Sequence, residues 1–251
     1  MRLYVHKWGT GPRIVFVHGA ILGGREAWRA ARPLTEHWTV LAPDRPGHGN
    51  SPEGSSDFEP EARLVAEQLL DEPAHLVGLS YGAIVAMYAA PLRPGTVSSL
   101  TVIEPPSSAV AAGIPVVDQF GADVRAIVET RTSPAAALRR FFQVAGVFQD
   151  VTEPVPDVLV RGITQLARTR PPDEARPPLA ELAAAPFPIM VVSGGHSEAN
   201  EIICDTIAEA TGARREVLPG AGHLVPDLGA PFNDLLSDFI TRAHGVGVHS
   251  A

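Results

Sequence analysis

The stretch that most constrains this chain is a serine held between two glycines, where a strand-forming run meets a helix-forming one: His75-Leu76-Val77-Gly78-Leu79-Ser80-Tyr81-Gly82-Ala83-Ile84-Val85-Ala86. Leu76 and Val77 suit a buried strand. Ala83 to Ala90 supplies helix formers with apolar residues on all sides, as a helix packed onto a sheet requires. Between them, Gly78-Leu79-Ser80-Tyr81-Gly82 fits the G-x-S-x-G elbow, a strained turn that presents the serine hydroxyl at a helix start. There the helix dipole and free backbone N–H groups favour developing negative charge. A glycine-rich turn with a bystander serine can carry the same five letters, so the surrounding chain has to decide.

That chain alternates strands and helices. Leu3 to Trp8 predicts an opening strand, and Ile14-Val15-Phe16-Val17 is an apolar run suited to a parallel sheet covered on both faces. It ends in His18-Gly19-Ala20, where a glycine lets the backbone approach a ligand and frees the N–H of Ala20 to point into a site. Arg25 to Leu34 predicts a helix, Trp38 to Pro43 a third strand, and Glu59 to Leu70 a helix leading into the elbow strand. Ser99 to Ile103 is the next strand, ending at Glu104-Pro105-Pro106. From Ser107 to Pro186 the alternation gives way to proline-interrupted amphipathic helices, read as an inserted helical cap. It resumes with Pro188 to Ser193, a helix from about Glu201 to Ala210, a strand from Arg215 to Leu218 and a last helix from Pro231 to Ala243; a frayed tail is expected from His244 to Ala251. The expected division is a core of residues 1–106 and 187–251, with a cap of residues 107–186.

Composition excludes several functions. The net charge of −8 and the lack of a Lys/Arg cluster argue against nucleic acid as a partner. The single cysteine, Cys204, rules out an internal disulfide framework or a cysteine-rich zinc site. The nine histidines include no close metal-ligand spacing, so neither a metal nor an organic cofactor is expected. No signal core and no run of ~18 apolar residues is present; the expectation is a soluble cytoplasmic protein with no membrane partner. His18, Asp44 and His48 sit in turn-rich loops and are read as loop-stabilising residues.

Strands interleaved with helices, an early serine elbow and Gly220-Ala221-Gly222-His223 after the last strand together resemble the α/β-hydrolase superfamily. That resemblance implies an α/β fold with a mostly parallel sheet and a site at the carboxyl ends of its strands. It makes Ser80 the nucleophile and His223 its general base, with the N–H groups of Ala20 and Tyr81 as oxyanion hole. Many members of the superfamily carry their acid in the loop after the strand equivalent to Ile189 to Val192. Here that loop reads Gly194-Gly195-His196-Ser197-Glu198-Ala199, without Asp. A subset, including some haloalkane dehalogenases and the fungal zearalenone lactone hydrolases, places the acid after the preceding strand, which corresponds to Glu104.

Three carboxylates follow the serine: Glu104, Glu198 and Asp227. Glu104 is preferred, because a residue before proline is held extended and the second proline stiffens the exit. The implied activity is hydrolysis of a hydrophobic small-molecule carboxylic ester or lactone through an acyl-enzyme. Alternatives on the same residues are thioester or carbon–carbon bond hydrolysis, or a non-catalytic ligand-binding protein on this scaffold. Phe120, Phe141, Phe142 and Phe148 are expected to roof the serine.

Overall fold

A computed structural model of the protein describes residues 1–129 and 132–247. Seven strands form one sheet in the order β1-β3-β2-β4-β5-β6-β7. They are β1 (Val5–Trp8), β2 (Arg13–Val17), β3 (Thr39–Pro43), β4 (Ala74–Leu79), β5 (Val97–Ile103), β6 (Ile189–Ser193) and β7 (Arg214–Val217). β1 runs antiparallel to β3, and every other pairing is parallel. Every residue of β3, β4 and β6 is buried, whereas β1 and β7 are partly exposed. This explains the continuous apolar runs of the inner strands: a parallel sheet covered on both faces has no side left for polar alternation.

Side-chain alternation sorts the two layers. Val15, Val17, Leu76 and Val191 point into one apolar cluster, and Ile14, Phe16, Val77 and Val192 into the other. The first cluster is closed by α2 (Phe58–Leu69), α3 (Tyr81–Ala89) and α8 (Glu198–Thr211), and the second by Trp28 and α9 (Ala230–Gly247). The helix expected over Arg25 to Leu34 is instead one turn, α1 (Gly24–Ala27), followed by a 3₁₀ segment over Arg29–Glu36. Pro33 lies inside that segment and has no N–H to donate, and Trp28 leaves the helix to stack on Phe16 at 4.3 Å. The last helix runs over Ala230–Gly247, four residues beyond the end expected at Ala243. Residues 248–251 lie outside the described residues.

Between β5 and β6 the chain forms α4 (Pro115–Glu129), α5 (Pro134–Ala145), α6 (Asp157–Gln165) and α7 (Leu179–Ala183). Leu138, Ile163 and Leu166 build a third apolar cluster with Ile21, from the loop after β2. The approach is tight enough that a Cβ on Gly162 would stand 1.9 Å from the Ile21 carbonyl oxygen. Gln165 adds a side-chain hydrogen bond to the Gly54 carbonyl at 2.6 Å. Among the described residues no helix is long and apolar enough to cross a membrane.

Candidate active site

The sheet changes winding direction at β2, which pairs with β3 on one side and β4 on the other. α/β sheets bind ligands in the crevice at such a point, outside the carboxyl ends of the strands. The His18-Gly19-Ala20 loop and Ser80 leave the two strands that flank this point, and Val17 is paired with Gly78.

Ser80 sits at the N-cap of α3 with φ 57° and ψ −123°. The two motif glycines are dictated by close backbone approach: a Cβ on Gly78 would stand 2.4 Å from the Gly82 carbonyl oxygen, and one on Gly82 would stand 2.2 Å from that of Val17. The turn is pinned by the Ser80 N–H, which donates to the Ile103 carbonyl at 2.8 Å. Among the described residues, Ser80 and Glu104 are the two non-glycine residues with positive φ. Such conformations cost about 1–3 kcal/mol each and persist where the surroundings enforce them.

The loop after β2 is held from behind. His18 Nε2 accepts the Arg45 N–H at 2.9 Å, which leaves Nδ1–H to donate to the Gly19 carbonyl at 2.8 Å. Burial, then the neighbouring His48 and Arg45 charges, hold the His18 pKa well below its ordinary value, so the ring stays neutral. His48 Nε2 lies 2.8 Å from the Ala20 carbonyl, and burial followed by Arg45 lowers its pKa to about 4. Arg45 donates to the Gly19 carbonyl at 2.8 Å, pairs with buried Glu61 at 2.6 Å and lies over the Tyr81 ring at 4.4 Å. One guanidinium thereby braces both loops beside Ser80. Asp44 acts within its own corner, accepting from the N–H groups of Gly24 at 2.7 Å and Asn50 at 2.8 Å. These histidine and aspartate contacts match the loop roles expected for them.

Glu104 directly follows β5, with its side chain fully enclosed. Its Oε1 accepts the Gly194 N–H at 2.6 Å and its Oε2 accepts from Asn200 Nδ2 at 2.7 Å. Oε2 also stands 3.4 Å from His223 Nδ1. This approach is long, as such contacts often are before substrate tightens them. The expectation that Pro105 keeps Glu104 extended is wrong: its φ is 47°. The two donors from beyond β6 hold the carboxylate in place and outweigh the local preference. Glu198 is exposed at the first position of α8. Asp227 lies in a 3₁₀ turn at the cavity rim, its pKa raised by burial against the opposing charge of Arg29.

His223 follows β7, and its N–H donates to the Gly146 carbonyl, just past α5, at 3.0 Å. Ser80 and His223 line a cavity of about 580 Å³ together with Ala20, Phe141, Phe142 and Leu159. They also line a recess of about 50 Å³ with Ala20, Tyr81, Phe120 and Phe141. Phe148 lines neither and is 73% exposed, so it does not roof the serine as expected.

Sequence reasoning missed Asn200, His196, Arg45 and Glu61. His196 Nδ1 stands 3.7 Å from Glu104 Oε1, and its Nε2 lies 3.1 Å from the Ala145 carbonyl. No spacing rule marks the pair: His196 precedes the N-cap of α8, and its Nε2 comes within 3.2 Å of Asn200 Nδ2 through the turn into that helix. Cys204 is buried, and burial with the nearby Glu104 charge keeps its thiol well above the ordinary range and unreactive. Among the described residues, no group of three or more His, Cys, Asp or Glu could hold a metal ion.

The model of the alpha/beta hydrolase family matches residues 14–235. The chain is 41% identical over 105 residues to a pimeloyl-[acyl-carrier protein] methyl ester esterase of Methylococcus capsulatus, a stretch covering 41% of each protein. It is 34% identical over 168 residues to the lipase LipV of Mycobacterium tuberculosis, covering 62% of this chain and 59% of the lipase. The matched stretches thus span about two-fifths and three-fifths of these relatives' lengths. An N-acyl homoserine lactonase solved with N-hexanoyl homoserine superposes with a TM-score of 0.72 at 21% identity, covering 96% of this chain and 93% of that one.

Proposed function

The chain belongs to the alpha/beta hydrolase family, and from that premise we propose that it is a serine hydrolase of carboxylic esters, lactones included, with Ser80 as nucleophile, His223 as base and Glu104 as acid. The observation that supports this reading is that Ser80 and His223 line one cavity, while His223 Nδ1 faces Glu104 Oε2 at 3.4 Å. A carboxylate at that nitrogen keeps the proton on Nδ1 and leaves Nε2 as the base.

In the first half-reaction His223 Nε2 takes the Ser80 hydroxyl proton as Oγ attacks the carbonyl carbon. The Ala20 and Tyr81 N–H groups, the latter at the start of α3, hold the oxyanion. Collapse breaks the bond to the alkoxide, which leaves with the proton from His223. Water then repeats the sequence on the acyl-serine and releases the acid. The helices of residues 107–186 serve as a cap that shields this chemistry from solvent.

Ester substrates are supported by the esterase and lipase relatives, and a lactone by the fold of the lactonase. The apolar cavity walls suit a hydrophobic small molecule, and the lone buried cysteine suits a reducing cytoplasm. The test is labelling with a fluorophosphonate probe, followed by peptide mass spectrometry and an ester and lactone panel. Modification of Ser80 and turnover abolished by Ser80→Ala are expected. A folded chain that neither labels at Ser80 nor turns over any ester overturns the esterase reading.

A further inference from the structure

Gly19 stands against Ser80: a Cβ added to it would lie 3.2 Å from Ser80 Cβ and 3.7 Å from Ser80 Oγ. The peptide joining Gly19 to Ala20 therefore runs beside the hydroxyl. A trans peptide is planar, so its C=O and N–H point in opposite directions. Whatever fixes the Gly19 carbonyl also fixes the Ala20 N–H. Two donors do so, His18 Nδ1 at 2.8 Å and Arg45 Nη1 at 2.8 Å. They turn the Ala20 N–H away from themselves, and among the described residues it donates to no other group. Ala20 lines both the cavity and the recess beside Ser80. A charged donor on the carbonyl also polarises the amide, which strengthens its N–H as a donor.

The same guanidinium reaches the residue after the serine. Arg45 Cζ lies 4.4 Å from the centre of the Tyr81 ring, within the range of a cation–π contact. The Tyr81 hydroxyl donates to the carbonyls of Ser56 at 3.3 Å and Arg170 at 3.2 Å, which keeps the ring beneath the charge. Arg45 is itself locked in place. Its Nε and Nη2 donate to Glu61 at 2.6 and 3.1 Å, and both side chains are buried. A buried ion pair is a weak source of stability, since apolar side chains of similar volume often do as well or better. Stability alone therefore does not explain why Nη1 is directed at Gly19 and the guanidinium face at Tyr81.

Resting on the hydrolase reading above, we infer that Arg45 is a positioning residue of the oxyanion hole. Through the Gly19 carbonyl it aims the Ala20 N–H, and through the ring it holds Tyr81, whose N–H is the second donor. Glu61 sets the orientation of the guanidinium. Arg45 lines neither the cavity nor the recess. Its effect belongs to the transition state, where the carbonyl oxygen of the substrate becomes an anion.

The experiment uses the full chain and an activated ester that the wild type turns over and Ser80→Ala does not. The double variant Arg45→Met, Glu61→Met replaces the pair with apolar side chains and leaves no buried charge alone. Rates are read per folded molecule, with thermal melts giving the folded fraction. In the double variant kcat and kcat/KM should fall together by about 10- to 100-fold with KM unchanged, as for a misplaced donor. Binding of an alkylboronic acid, which forms a tetrahedral anion on Ser80 Oγ, should weaken by a similar factor. Where the double variant does not fold, Arg45→Lys decides. It keeps a charge for Glu61 but cannot span Glu61, Gly19 and Tyr81 at once, and its kcat should fall about tenfold. A rate per folded molecule within about threefold of wild type ends the inference, makes Arg45 part of the fold alone and leaves the hydrolase reading intact. A loss of kcat with boronic acid affinity unchanged also ends it, because the damage then lies outside the oxyanion hole. Turnover of no ester by the folded wild-type chain ends the hydrolase reading itself, and this inference with it.

Discussion

Asn200 donates its side-chain N–H to Glu104 Oε2 at 2.7 Å, the same oxygen that faces His223 Nδ1 at 3.4 Å. Gly194 holds the other carboxylate oxygen at 2.6 Å. The Glu104 carboxylate is therefore held by two donors, and one of them can be removed by mutation.

Asn200→Ala deletes one charge-assisted hydrogen bond, worth about 1.5–3 kcal/mol. If that energy orients the carboxylate, kcat should fall about 10- to 100-fold with KM unchanged. Steady-state kinetics beside a thermal melt decide the matter. A drop in Tm with kcat intact would reduce Asn200 to a packing residue.

Glu104→Gln keeps the shape of the side chain and removes its charge, whereas Glu198→Gln acts on an exposed carboxylate at the start of α8. A kcat loss of ~10³-fold or more is expected for the first and little for the second, in line with the cost of removing a triad carboxylate. The opposite ranking would return the acid to the loop after β6.

Ser80→Ala, His223→Ala and the double variant should all fall to a similar low rate, because groups that act as one unit are not additive. Single-turnover assays on an activated ester measure this. Two independent losses that multiply in the double variant would show that the serine and histidine do not work together.

His18 and His48 give the fold an acid limit. Both are buried and held neutral, His48 with its pKa lowered from 6.5 to about 4. Well above pH 6.5 neither ring binds a proton in the folded or the unfolded chain, so they add no slope there. Below it the unfolded chain takes up protons that the folded chain refuses. Stability therefore falls with pH, by up to about 1.4 kcal/mol per unit for each ring, until His48 titrates in the folded protein. Urea unfolding at a series of pH values between 7 and 4.5 should show this fall, and His48→Gln should flatten it by up to one proton's worth. Identical slopes for the two proteins would contradict it.

The parts of the molecule legible in the sequence were those dictated by near neighbours. Gly78 and Gly82 read as an elbow because the backbone contacts that demand them lie within the strand-turn-helix unit and the adjoining β2. Glu104 could be placed at a strand end by chain order, but its conformation could not. The partners that hold its carboxylate lie 90 and 96 residues further along, and they override what Pro105 prefers. The Arg45–Glu61 pair stayed invisible for a similar reason: Arg45 lies in the Asp44 to Ser51 loop, but no pattern links it to Glu61, and only folding buries them together behind the Ser80 loops. The cap reading grouped Phe120, Phe141, Phe142 and Phe148 alike, yet membership of an apolar segment carries no information on which ring meets the cavity and which faces water.

The φ of 57° at Ser80 also bears on how this chain can change over time. Glycine accepts that conformation without a Cβ penalty, so Ser80→Gly should raise the unfolding midpoint while ending turnover. A gene copy released from selection on activity, yet still selected for a folded product, would feel a steady pull toward glycine at this one codon. Decay of function here would leave a more durable protein than the one it replaced, and glycine at this position in a descendant would mark a lineage that kept the scaffold and abandoned the chemistry.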